Sequence, residues 1–130
     1  MPAVSSKSVA QKLMVKDGKS FLLVGAPQGY HETLGTIPGG AKLLTDEQPA
    51  DIIQVFVESE ADLKRELPRL KELVKAGGAL WVSFCKGTSK KTTDINRDTI
   101  ARYAFSIGLE GIAIISVDDD WSALRLKVVD

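Results

Sequence analysis

Three short apolar runs constrain this chain more than any other feature: FLLVG at 21–25, DIIQVFV at 51–57 and ALWVSF at 79–84. Each is bounded by turn or polar residues, and none alternates apolar with polar. A strand with one wet face must alternate, because successive side chains point to opposite faces. Continuous runs therefore predict strands covered on both sides, as in a parallel sheet between two helical layers. The three runs are expected to be adjacent inner strands.

The intervening segments supply the helices. Ser8 is placed to cap a short helix over 8–15, and Asp17-Gly18 turns the chain after it. One helical turn is expected at 30–34. Ser59 opens a longer helix, with Asp62 three residues on as its capping partner. Leu63, Leu67, Leu70 and Val74 form its apolar stripe, and Gly77-Gly78 is expected to stop it. Pro68 lies inside and is expected to interrupt it, since proline removes one backbone bond and clashes with the carbonyl four residues back. A further helix, capped by Thr93 or Asp94, runs to about Ile107 with Ile100, Ala104 and Ile107 inward; Gly108 closes it.

The end of the chain reads as two strands, 111–117 and 123–129, joined by a turn over 118–122. Leu124, Leu126 and Val128 alternate inward against Arg125 and Lys127. The turn is too short for a parallel crossover, so the pair is an antiparallel hairpin. A short strand at 42–45 has no room for a helical crossover before residue 51, which leaves its place and direction open. The expected fold is one α/β domain over 1–130, Rossmann-like and three-layered, with a mainly parallel sheet and a C-terminal antiparallel hairpin.

Composition excludes several function classes. Lys plus Arg and Asp plus Glu are 17 each, so no net charge recruits nucleic acid or anionic lipid. With one cysteine, Cys85, and one histidine, His31, neither an internal disulfide nor a cysteine-based zinc site can form. No metal is expected. No secretory leader and no apolar run of spanning length is read, so the expected compartment is the cytoplasm. Self-association is left open.

In open α/β sheets, ligands bind beyond the carboxyl ends of the strands. Segments 25–31, 58–60 and 85–94 should meet there. Candidate ligand-binding residues are Gly25 and Pro27 in the first turn, and Lys86, Ser89, Lys90, Thr92 and Thr93 in the loop 86–94. That loop enters a helix N-terminus and carries hydroxyls and lysines, which suits a small anion, although its spacing is not that of a P-loop. A solvated loop is the simpler reading. His31 after the first strand has no catalytic partner fixed by sequence, and no catalytic residue is assigned. Asp118-Asp119-Asp120 lacks a calcium-loop pattern and reads as a turn. Trp121 is placed over the sheet edge. Trp81 is core, and Cys85 a buried thiol.

The passage from Leu67-Pro68 through Gly77-Gly78-Ala79-Leu80-Trp81-Val82-Ser83, with the terminal hairpin, resembles class I methyltransferases. The whole chain resembles small bacterial proteins of the domain of unknown function 3052 family, through QKLMVKDG at 11–18, LLVGAP at 22–27, LPRLKELVKAGGALWVS at 67–83 and VDDDWSALRL at 117–126. The resemblance implies a truncated methyltransferase-like topology. It also implies a GxGxG turn after the first strand, where this chain has Gly25-Ala26-Pro27-Gln28-Gly29, and an acidic residue after the second, where only Asp46 or Glu47 is available. With Pro27 at the middle glycine, no cofactor is expected. The leading expectation is a non-catalytic ligand-binding or interaction module. The alternatives are a minimal S-adenosylmethionine-dependent transferase, or an anion-binding protein using the 86–94 loop.

Overall fold

The computed structural model describes residues 8–35, 37–44, 46–86 and 95–129. Among the described residues, six strands form one sheet in the order β2-β1-β3-β4-β6-β5. They are β1 (Ser20–Val24), β2 (Lys42–Leu44), β3 (Ala50–Phe56), β4 (Val74–Cys85), β5 (Leu109–Ser116) and β6 (Trp121–Val128). The helices are α1 (Val9–Lys12), α2 (Tyr30–Leu34), α3 (Glu60–Lys71) and α4 (Arg97–Ser106). The three apolar runs are neighbours, β1-β3-β4, and pair in parallel. β6 runs antiparallel to both β4 and β5, so the terminal hairpin is folded back with its last strand inside.

Each apolar run feeds two cores because its side chains alternate faces. Ile53, Val55, Leu80 and Val82 pack with Leu63, Leu67 and Leu70 of α3 and Ile100 and Ala104 of α4. Phe21, Ile52, Phe56 and Trp81 pack on the other face with Val9, Ala10 and Leu13 of α1 and Tyr30 and Leu34 of α2. This is the three-layer α/β arrangement expected. Among the described residues, no helix is long and apolar enough to cross a membrane.

Local signals explain the ends of several elements. Ser8 caps α1 and exchanges bonds with Gln11: Ser8 Oγ accepts from the Gln11 N–H, and Gln11 Oε1 accepts from the Ser8 N–H. The helix closes with Val15 N–H donating to the Ala10 carbonyl and Met14 N–H to that of Gln11. This paired closure places Met14 in the left-handed region, φ 73°, where glycine is usual. The strand whose place was open, β2, lies at the sheet edge, parallel to β1. Residues 46–49, before β3, contain no helix.

Four expectations are corrected. First, α3 continues unbroken through Pro68. Leu67 and Leu70 are fully buried beside it, while Pro68 and Lys64, whose carbonyl loses its donor, face outward where water can satisfy that carbonyl. Second, Gly77-Gly78 does not stop α3, which ends at Lys71; Val74 and both glycines lie in β4. The pairing passes from Ala50↔Val74 to Ile52↔Ala79, so two residues of β3 span five of β4. Gly77 takes up φ 78° in that bulge. Third, the cap of α4 is Asn96, whose Oδ1 accepts from the Thr99 N–H at 2.9 Å; Thr93 and Asp94 lie outside the described residues. Fourth, Val128 is 41% exposed because the inward alternation ends at Leu126.

Candidate functional site

The topology fixes where a ligand-binding crevice can form. β1 leads through α2, on one face, to β2; β3 leads through α3, on the opposite face, to β4. Chains leaving β1 and β3 therefore diverge to opposite sides at their carboxyl ends. That divergence marks the topological switch point, where open sheets hold ligands.

Gly25 sits at this point with φ 70°. A Cβ there would lie 3.4 Å from the Phe56 carbonyl oxygen, at the end of β3. The turn and the neighbouring strand end thus approach backbone to backbone. The Pro27 carbonyl accepts from the Tyr30 N–H, and Gly29 (φ 81°) leads into α2. Of the two acidic residues after β2, Glu47 is paired with Arg69 of α3, while Asp46 is exposed.

A buried polar chain lies behind the turn. The Tyr30 hydroxyl donates to Gln54 Oε1 at 2.8 Å, and Gln54 Nε2 donates to Ser83 Oγ at 2.8 Å. All three residues are buried, so these bonds satisfy groups that water cannot reach. Burial, only partly offset by the bond to Gln54, pushes the Tyr30 phenol up to about 12. Tyr30 also meets Phe56 edge-on, with ring centroids 4.7 Å apart, and Phe56 meets Trp121 in the same way at 5.0 Å. Trp121 is therefore part of the core and not a cover for the sheet edge. These contacts tie α2, β3, β4 and β6 together beneath the first turn. Gln54 is the residue that sequence reasoning missed; its signal was one amide inside an otherwise apolar run.

The other candidates fall elsewhere. The Lys86 N–H donates to the Asp120 carbonyl, and its Nζ donates to Ser116 Oγ at 2.7 Å. It lines a cleft of about 390 Å³ with Asn96, Arg97 and Ser122. Gly25 and Pro27 are not among that cleft's lining residues, and β3 separates them from β4. Ser89, Lys90, Thr92 and Thr93 lie outside the described residues. His31 is exposed on α2, and Cys85 is buried at the end of β4. Asp118 Oδ1 accepts from the N–H groups of Asp120 and Trp121, each at 2.8 Å, which makes the acidic triplet a hairpin turn. Among the described residues, no three of His, Cys, Asp and Glu gather as metal ligands would.

No family model and no curated protein matches the sequence. Solved structures do match the fold. A TehB-like S-adenosylmethionine-dependent methyltransferase from Corynebacterium glutamicum superposes with a TM-score of 0.61 at 15% identity, covering 93% of this chain and 87% of that one. An rRNA methylase from Streptococcus thermophilus gives 0.59 at 10% identity over 98% and 100%. DhpI, solved with S-adenosylhomocysteine, gives 0.59 at 8% over 85% and 76%. The chain thus has the Rossmann-like α/β fold of methyltransferases, with the antiparallel strands at its C-terminal end. This finding corrects the expectation of no cofactor: one of these structural neighbours is S-adenosylmethionine-dependent, and another was solved with S-adenosylhomocysteine. Pro27 was too local a ground for the exclusion, because one residue of the turn does not set the fold.

Proposed function

We propose that the chain is a minimal S-adenosylmethionine-dependent transferase whose cofactor lies across the carboxyl ends of β1 and β3. The observation that carries this reading is Gly25, left-handed at the switch point, where a side chain would strain the backbone, and in van der Waals reach of the Phe56 carbonyl at the end of the neighbouring strand. Segment 25–29 would take the cofactor against its backbone. Asp46, free of the pairing that holds Glu47, would offer a carboxylate beyond β2. The Tyr30–Gln54–Ser83 chain holds the floor beneath the turn rigid. When bound, S-adenosylmethionine supplies an electrophilic methyl group. Membership of the domain of unknown function 3052 family goes with this proposal, on the four motifs quoted above.

Two observations favour a second reading, binding without transfer. Pro27 stands at the middle glycine of the turn, and α2 has only five residues. A thermal-shift series decides whether the shared first step, cofactor binding, occurs. A ligand present at about a hundredfold its Kd stabilises the folded state by about 2.7 kcal/mol. For this chain length that is a rise in Tm of about 10 °C. Such a rise with S-adenosylmethionine or S-adenosylhomocysteine, and not with dinucleotides, supports the proposal. No rise at millimolar cofactor rejects it. Release of S-adenosylhomocysteine in the presence of acceptor pools then separates transfer from binding alone.

A further inference from the structure

The opposite edge of the sheet carries a separate feature. The bulge between β3 and β4 opens clefts on both sides of Gly77-Gly78, of about 200 and 550 Å³. Ala76, Gly77, Gly78 and Arg125 line both. The larger has the volume of a small-molecule site and not of an extended macromolecular groove.

The charge around it is one-sided, although the whole chain is balanced. Lys16, Lys19 and Arg125 face Asp51 in the smaller cleft, and Lys71, Lys75, Lys127 and Arg125 face Glu72 in the larger. The acidic counterweight is partly spent. Asp51 Oδ2 accepts from the Ser20 N–H at 2.9 Å and from Ser20 Oγ at 3.0 Å, and the backbone bond is the main reason its carboxyl lies below the usual range. Of the cations, Lys71 is engaged, its Nζ donating to the Ile107 carbonyl at 2.7 Å.

Arg125 supplies the second observation. Its Nε is buried and has no hydrogen-bond partner among the described residues. A guanidinium cannot shed its charge, and a buried N–H left unmade costs about 1–3 kcal/mol. Such a donor, between two clefts and among lysines, lacks an acceptor. A tetrahedral oxyanion in either cleft suits the guanidinium as a whole: the fork matches its oxygens, and the lysines lining the clefts add charge. Gly77 carries no side chain, and nothing lies within 4 Å of where one would be, so its backbone is open on that side.

We propose that the amino-edge cleft around Gly77-Gly78 is a binding site for a phosphoryl group, with Arg125 as its fork and Lys75 and Lys127 as flanking charges. The site lies across the sheet from the carboxyl-edge crevice and does not depend on the cofactor reading.

Inorganic phosphate titrated against the ¹⁵N-labelled protein at constant ionic strength tests this, with chloride as the screening control. The result expected is saturable movement of the amides of 76–78 and of the Arg125 Nε–H resonance with phosphate and not with chloride. The exposed pair Lys75→Gln and Lys127→Gln should weaken that binding by about tenfold while leaving the spectrum of the folded chain intact. A nucleoside monophosphate binding more tightly than phosphate at the same amides identifies a phosphorylated small molecule as the source; equal affinity identifies free phosphate. Amides at 76–78 unmoved by phosphate, or moved equally by chloride, overturn the proposal. Binding unchanged in the double-lysine variant overturns it as well.

Discussion

Tyr30→Phe isolates the buried polar chain beneath the first turn. The substitution keeps the ring, and so keeps the edge-on contact with Phe56, but removes the hydroxyl that donates to Gln54 Oε1. Gln54 is fully buried and its amide already donates to Ser83, so its oxygen is left without a donor in a place water does not reach. Leaving such an acceptor unmade costs about 1–3 kcal/mol. An unfolding entropy of about 2.1 cal/mol/K per residue, over 130 residues, gives about 0.27 kcal/mol/K. The expected fall in Tm is therefore about 4–11 °C, read by circular dichroism with urea melts for ΔΔG. The triple variant Tyr30→Phe, Gln54→Leu, Ser83→Ala removes every member of the chain together. Replacing all partners by apolar groups of similar shape is close to neutral, so it should recover most of the loss. A Tyr30→Phe variant within 0.5 kcal/mol of the parent (about the spread of ordinary surface substitutions) would refute the reasoning. So would a triple variant worse than the single one.

Three further outcomes follow from the same geometry. Gly78→Ala should cost about 3 kcal/mol, because its Cβ would lie 2.3 Å from the Asp51 carbonyl oxygen and 2.9 Å from that of Lys75, both backbone atoms; Gly77→Ala, with open space but φ 78°, should cost only about 1 kcal/mol in the same urea melts. Met14→Gly relieves the left-handed closure of α1 but removes a side chain packed on the core, so it should change stability by less than about 1 kcal/mol in thermal melts; a larger loss would show that this packing outweighs the backbone strain. Tyr30 holds its proton to about pH 12 in the folded state against about 10 when unfolded, so the folded state binds more protons between these values. The stability this represents is fully present below pH 10 and lost as pH rises toward 12; Tyr30→Phe should lack that component of the alkaline decline.

What the sequence made legible was the arrangement that depends on local periodicity. The runs at 21–25, 51–57 and 79–84 announced buried parallel strands because nothing polar alternates within them. The exception, Gln54, was hidden by that rule, since its partners Tyr30 and Ser83 lie 24 and 29 residues away. Ser8 and Ser59 announced caps because a cap is a contact over three residues. Gly77-Gly78 misled for the opposite reason: a helix stop and a strand bulge both need glycine, and only the Asp51 carbonyl packed on Gly78 decides between them. Pro68 misled because the cost of a lost bond depends on whether its carbonyl faces water, which tertiary packing sets. Arg125 was read as an ordinary outward residue of an alternating strand; its isolation becomes visible only when the bulge of β4 is brought beside it. The divergence of the strands at the carboxyl ends follows from the alternation of elements, whereas the contact of Gly25 with the Phe56 carbonyl is one that no spacing rule encodes.

The central claim, a cofactor crevice at the switch point between β1 and β3, is tested most directly by mapping S-adenosylhomocysteine onto the assigned amide spectrum. Saturable shifts are expected, confined to 25–29, to Asp46 and Glu47, and to 57–59, and abolished by Gly25→Val in a variant whose remaining spectrum shows it folded. Absence of shifts at millimolar ligand, or shifts that survive Gly25→Val unchanged, would contradict it.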